Sequence, residues 1–238
     1  MFDLKDKIII ITGSCGGIWK AMVSWFLAVG AKVIGVDIVS SDLIDDDYIH
    51  FVVDISDING IVWLYGKLGE MSIYPNCLIN NWWIYLAKDI YNHDISSIAK
   101  TIDVNLMGTI YMTKYFLEYI WSQNILANII NISSVSWQEW SSDPIYGASK
   151  AWILWFTKSM SLSSKWKFRI NAIAPWLVQT AMMDNIPTDR LAEYHTKETI
   201  SDPIMPKDVF DTALFLMSDV SSHYNGATFD LNNGCYLR

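Results

Sequence analysis

Apolar residues along this chain follow two rhythms: short unbroken runs of aliphatic and β-branched residues, and longer stretches in which apolar positions return every three or four residues. Lys7 to Thr12 (Lys-Ile-Ile-Ile-Ile-Thr) carries no polar alternation, the mark of a strand buried on both faces of a parallel sheet. Glycines follow, then a helical stretch to Val29, Gly30 as its stop, and a second apolar run from Lys32 to Val36 closed by Asp37. That order predicts a βαβ unit. Further strands are expected over His50–Val53, Cys77–Asn80, Asn128–Ile132, Phe168–Ala174 and Ala227–Leu231. Helices are expected over Ile58–Lys67, Ser96–Trp121 (one long segment), Tyr146–Ser164 and Pro206–Met217, with a short one near Thr188–Ile200. Residues 40–47 are acidic and read as a solvated loop.

Strands alternating with helices at this spacing predict an α/β doubly wound parallel sheet of about seven strands, with right-handed crossovers and helices on both faces. No linker or repeat interrupts the order, so one Rossmann-type domain spans residues 1–238, with a nucleotide-binding half over 1–125 and a catalytic and substrate half over 126–238. The ligand site of such a sheet lies beyond the carboxyl ends of its strands. Asp37, Asp54, Asn80, Ser133, Ser134 and Pro175 each follow a predicted strand.

Composition narrows the partners. A hydrophobic share of 52% supports a sizeable core, and a formal net charge of -8 disfavours nucleic acid or an anionic membrane surface. Cys15, Cys77 and Cys235 are widely spaced and odd in number, which predicts neither a disulfide framework nor a zinc site. The four histidines lack metal-ligand spacing and are expected as surface or capping residues, so no metal is predicted. The opening Met-Phe-Asp-Leu-Lys-Asp-Lys has no signal-peptide shape and no apolar run approaches a membrane span, which fits a soluble, cytoplasmic protein.

Two clusters carry chemistry. The turn Thr12-Gly13-Ser14-Cys15-Gly16-Gly17-Ile18, between the first strand and helix, exposes backbone N–H groups to a pyrophosphate, and Asp37 lies roughly 20 residues on, where a carboxylate accepts hydrogen bonds from a ribose diol. Its charge repels a 2′-phosphate, so NAD is expected over NADP. Farther on, Asp143-Pro-Ile-Tyr-Gly-Ala-Ser-Lys150 sets a phenol and an ammonium four residues apart, on one face of a helix. A nearby fixed positive charge favours the ionised phenol, which lets Tyr146 trade protons with an alcohol or carbonyl.

In these residues the chain resembles the short-chain dehydrogenase/reductase family over nearly its whole length. The family's T-G-x-x-x-G-I-G turn is matched by Thr12-Gly13 to Gly17-Ile18, its Asp-hydrophobic pair by Asp54-Ile55, and its N-N-A-G segment begins as Asn80-Asn81. Asn105, Asn131-Ile-Ser-Ser134, Tyr146 to Lys150, Asn171 to Pro175 with Thr180 beyond it, and Asn225-Gly226 through Asn233-Gly234 follow in family order. The resemblance implies Tyr146 as acid/base, Lys150 lowering its pKa and holding the nicotinamide ribose, Ser134 bonding the substrate oxygen, and Asn105 holding a relay water. Spacing leaves Ser133 as a second candidate for the serine role. Gly13, Ser14, Gly17, Ile18, Asp37, Asp54, Ile55, Asn80, Pro175, Val178 and Thr180 join Tyr146 and Lys150 as implied NAD contacts. The implied activity is NAD(H)-dependent interconversion of a secondary alcohol and a ketone, with 3-oxoacyl, sugar or steroid-like substrates in range. The implied assembly is a homodimer or homotetramer paired through the helices containing Asn105–Trp121 and Tyr146–Ser164.

Tryptophan departs from the pattern. Trp19, Trp82, Trp83, Trp137 and Trp176 stand where the family carries glycine or alanine around the nucleotide and active site, and Trp152 and Trp155 hold usually small positions after Lys150. An indole brings on the order of 150–250 Å² of surface. Pointing inward, these rings would occupy cofactor volume and leave a non-catalytic or cofactor-impaired protein; pointing outward, they would form an aromatic rim.

Overall fold

The computed structural model describes residues 4–137, 141–180, 183, 186 and 188–236. Seven strands form one parallel sheet: β1 (Ile8–Thr12), β2 (Lys32–Asp37), β3 (Tyr48–Val52), β4 (Cys77–Asn80), β5 (Ala127–Ile132), β6 (Phe168–Pro175) and β7 (Thr228–Leu231), in the spatial order β3-β2-β1-β4-β5-β6-β7. The order reverses direction between β1 and β4, which opens a crevice above their carboxyl ends. All residues of β4 and β5 are buried, as the apolar runs predict for strands covered on both faces.

On one face α1 (Gly17–Ala28) and α7 (Pro206–Met217) close a core that includes Ile9, Ile11, Phe26, Phe210 and Leu216. On the other face α2 (Ile58–Glu70) and α4 (Gly108–Trp121) cover Ile10, Ile34, Leu78 and Ile129 with Leu64, Met112 and Phe116. The predicted long helix is three pieces: α3 (Ile95–Ile102), a π-helical turn over Asp103–Met107, and α4. Such turns are rare and often mark functional sites. The next helix, α5 (Pro144–Leu162), lies against β5 and β6, and α6 (Thr188–His195) precedes α7. Among the described residues no helix is long and apolar enough to cross a membrane.

A buried polar ladder ties the sheet to both site-bearing helices. The amide of Asn80 donates to Thr113 Oγ1 and to Asn131 Oδ1, each at 2.9 Å, and Asn131 Nδ2 donates to Thr157 Oγ1 at 2.9 Å. These bonds join α4, β4, β5 and α5. Gly108 lets α4 approach the strand-end loop closely: a Cβ there would stand 2.7 Å from Ile55 Cδ1 and 3.2 Å from the Ile55 carbonyl oxygen.

Candidate active site

The helix carrying the phenol and ammonium begins where its residues dictate. Asp143, in extended conformation, caps α5 by accepting the Tyr146 N–H at 3.0 Å, and Pro144 takes the first helical position, where no N–H is needed. Tyr146 and Lys150, one turn apart, both face inward, at 8% and 1% exposure. The Lys150 ammonium donates to the Ile132 carbonyl at 2.9 Å, and burial lowers its pKa from 10.5 to about 7. Burial also pushes the Tyr146 phenol well above its ordinary range; Tyr85 and Asp143 add to that, while a hydrogen bond with Ser134 opposes it.

The two serines after β5 have separate tasks. Ser133 Oγ donates to the Lys150 carbonyl at 2.8 Å and so braces the helix backbone, whereas Ser134 lies by the phenol, with its Oγ also 3.1 Å from Ser136 Oγ. Of the two, Ser134 is the hydroxyl beside Tyr146.

Asn105 sits fully buried in the π-turn. Its Oδ1 accepts the Ile84 N–H at 2.8 Å, while its Nδ2 donates to the Ile84 carbonyl at 3.0 Å and to Ser149 Oγ at 3.1 Å. This paired grip fixes the segment leaving β4 and sets it against α5. The residues on either side of Ile84 gain their positions from it. The ring of Trp83 stands 5.7 Å from that of Tyr146 and 5.5 Å from the Lys150 ammonium; the ring of Tyr85 meets Tyr146 edge-on at 5.0 Å, with its hydroxyl 3.0 Å from Ser142 Oγ.

His93 corrects the expectation of a surface or capping histidine: its side chain is wholly buried, with Nε2 3.1 Å from Asp143 Oδ1 and Nδ1 3.1 Å from Ser97 Oγ. It anchors the far end of the same segment to the cap of α5. The Asp-Pro cap was legible in the chain, but its partner lies 50 residues away and has no local signal.

At the nucleotide end, Gly13 adopts φ +70°, a left-handed conformation that favours glycine, and a Cβ would press on Asn81 Nδ2 at 3.1 Å and Trp82 Cα at 3.2 Å. Ser14 is buried beside Gly35. The backbone of Gly17 and Ile18 opens α1, but the surroundings of their side-chain positions lie outside the described residues. Asp37 ends β2 with its carboxylate turned to the glycine turn: Oδ2 accepts the Cys15 N–H at 2.9 Å and Oδ1 the Val39 N–H at 3.3 Å. Asp54 is exposed and folds back on Ser56, while Ile55 is buried under Gly108. Asn80 spends its amide N–H groups in the polar ladder. Pro175 ends β6, Val178 bridges Ile204, and the Thr180 carbonyl accepts the Met183 N–H at 2.9 Å.

The tryptophans divide in a way that composition does not show. Trp19 is a core residue at 5% exposure; Trp82 packs against the sheet face covered by α2 and α4; Trp176 lies between the rings of Tyr194 and Tyr236. The Trp137 side chain lies outside the described residues. Trp83 alone of the described four touches Tyr146 and Lys150. The two ends of the site are thus built differently. Asp37 and the glycine turn offer acceptors and a left-handed glycine suited to an adenosine diphosphate, while the ground beside Tyr146 and Lys150 is taken by the indole of Trp83.

Comparison with known proteins agrees with this assembly of residues. A family model described as short chain dehydrogenase matches residues 7–191. An NADP-dependent (R)-specific alcohol dehydrogenase from Lentilactobacillus kefiri is 28% identical, with 97% of each chain covered. A 3-oxoacyl-(acyl-carrier-protein) reductase from Thermotoga maritima is likewise 28% identical, over 98% of this chain and 99% of the relative. A short chain dehydrogenase from Leptospira borgpetersenii, solved with bound NAD+, superposes with a TM-score of 0.93 at 23% identity, covering 99% of this chain and 94% of that one; at this identity the likeness concerns the fold. With the matched model spanning most of its length, the chain belongs to the short-chain dehydrogenase/reductase family of oxidoreductases.

Proposed function

We propose that this chain is an NAD(H)-dependent oxidoreductase that interconverts a secondary alcohol and a ketone. The observation that carries the reading is the buried phenol of Tyr146, on α5 one helical turn from Lys150 and beside Ser134 at the carboxyl end of β5. In ketone reduction, negative charge develops on the substrate oxygen, and the hydroxyls of Tyr146 and Ser134 are placed to meet it together. Tyr146 gives up its proton to that oxygen; in the reverse direction its phenolate takes the alcohol proton. A charged Lys150 stabilises that phenolate. Asn105 acts as a positioning residue, through Ser149 on α5 and through Ile84. A nicotinamide dinucleotide is the hydride partner this reading requires, bound with the Trp83 ring turned away from Tyr146 and Lys150, and the Asp37 carboxylate favours the form with a free ribose 2′-hydroxyl.

The test is a panel of ketones and sugars with NADH, followed by absorbance. Tyr146→Phe should lower kcat at least 100-fold while leaving NADH affinity nearly unchanged; undiminished turnover would contradict the assignment. A second reading, a non-catalytic nucleotide-binding member of the family, is favoured by Trp83 against the catalytic pair. NADH binding with no turnover of any carbonyl would support it.

We further propose a homodimer or homotetramer in the cytoplasm, paired through α4 and α5. Trp152 and Trp155 are 61% and 68% exposed on one side of α5, an apolar surface that a second copy would cover. Sedimentation of the wild type against a Trp155→Arg variant tests this: an unchanged monomer in both refutes it.

A further inference from the structure

We propose that Trp83 is the residue that decides which ligand this site accepts: it stands in the place beside Tyr146 and Lys150 that a nicotinamide ring needs, so the chain in this conformation takes an adenine nucleotide but not the whole dinucleotide. The inference rests on the dinucleotide-site reading above and deepens it. Three observations carry it. First, the indole lies against both members of the catalytic pair at once, 5.7 Å from the phenol ring and 5.5 Å from the ammonium. Second, the ammonium is covered: Lys150 is 1% exposed, one N–H is given to the Ile132 carbonyl, and the Trp83 ring stands over it where a ribose diol would reach the remaining donors. Third, the ring is held there by its neighbours. Asn105 grips both backbone groups of Ile84, Tyr85 reaches Ser142, and His93 reaches Asp143, so the segment is pinned at three points along its length.

The adenosine end meets this segment at Thr12, whose hydroxyl accepts the Asn81 and Trp82 N–H groups, but the three pins lie beyond that point, at Ile84, Tyr85 and His93. Asp37 and the turn at Gly13 belong to β1, β2 and the start of α1, and neither Asp37 oxygen bonds to the segment carrying Trp83. Each carboxylate oxygen accepts one backbone N–H and retains a lone pair for a ribose hydroxyl. The consequence is a separation of affinities. The nicotinamide half of NADH adds nothing to binding until the indole leaves, and removing the indole restores that half alone.

Titration calorimetry of ADP and NADH against the full chain and its Trp83→Gly variant tests the proposal. In the wild type the two dissociation constants should agree within about threefold; in Trp83→Gly, NADH should bind at least tenfold tighter while ADP is unchanged. NADH binding tenfold or more tighter than ADP in the wild type, with no gain in the variant, would overturn the role of Trp83 and leave the dinucleotide site standing. Failure of both nucleotides to bind either protein would overturn the site reading, and this inference with it. A second measurement needs no variant: reductive methylation of the wild type, read by mass spectrometry. Lys150 should remain unmodified while the exposed Lys158 is dimethylated; equal labelling of the two lysines would show that the indole does not cover the ammonium.

Discussion

Replacing Lys150 by Met should make the protein more stable, and the gain should depend on pH in a set direction. The ammonium is 1% exposed, and its pKa falls from 10.5 to about 7 through desolvation. The unfolded chain therefore binds this proton more tightly than the folded one, and protonation favours unfolding. The penalty is full below pH 7, shrinks as pH rises from 7 toward 10.5, and is gone above it. At pH 7 it amounts to on the order of 4 kcal/mol. Methionine fits a similar volume without charge, but it forfeits the hydrogen bond to Ile132 and the contact with the Trp83 ring, together about 2 kcal/mol. A net gain of about 2 kcal/mol near neutral pH remains. For a chain of this size that raises Tm by roughly 4–8 °C. Urea unfolding of both proteins at pH 6, 8 and 10 checks the reasoning: the stability gap should be widest at pH 6 and closed or reversed at pH 10. A variant no more stable at pH 6, or a gap that stays constant across the range, would show that the ammonium is solvated and the site open.

Glycines on two helices should respond oppositely to alanine. Gly108→Ala drives a methyl into buried Ile55 and its carbonyl and should cost about 1–3 kcal/mol, whereas Gly66→Ala, in α2 with nothing within 4 Å of the new carbon, should add about 0.5–1 kcal/mol; thermal unfolding of the pair reads both. Asn131→Ala removes the centre of the polar ladder, leaves Asn80 Nδ2 with one acceptor fewer, and opens a cavity between β5 and α5. Its cost should be about 2–4 kcal/mol by urea unfolding, and a loss under 0.5 kcal/mol would refute a load shared across that ladder.

Most of the scaffold is legible in the chain because its signals are local. β4 and α7 fall on the predicted residues, since an apolar run ending in Asn80 and a Pro206 start leave little choice. β3 begins at Tyr48, two residues before the predicted strand, because pairing of Tyr48 with Val33 in the neighbouring strand decides it. The π-turn at Asp103–Met107 is hidden within a periodic helical stretch, as one extra residue per turn leaves no mark in composition. At the site, the chemistry of Tyr146, Lys150 and Ser134 is readable from residue types and order. Their surroundings are not. Whether the indole of Trp83 points to solvent or to Lys150 depends on the direction of the chain after β4, which Asn105 sets by holding Ile84 from 21 positions away. Burial of His93 depends likewise on a carboxylate far along the chain.

That last contact bears on the order in which the molecule comes together. The cap of α5 is a single carboxylate oxygen, Asp143 Oδ1, shared between the Tyr146 N–H and the imidazole of His93. Closing a loop of this length costs entropy before the contact repays it. The local bond from the Tyr146 N–H thus precedes the imidazole, which joins the cap only after the crossover from β4 has docked. Folding kinetics monitored at Trp83 should accordingly lag behind those of the sheet, with the reactive groups among the last parts of the chain to arrive.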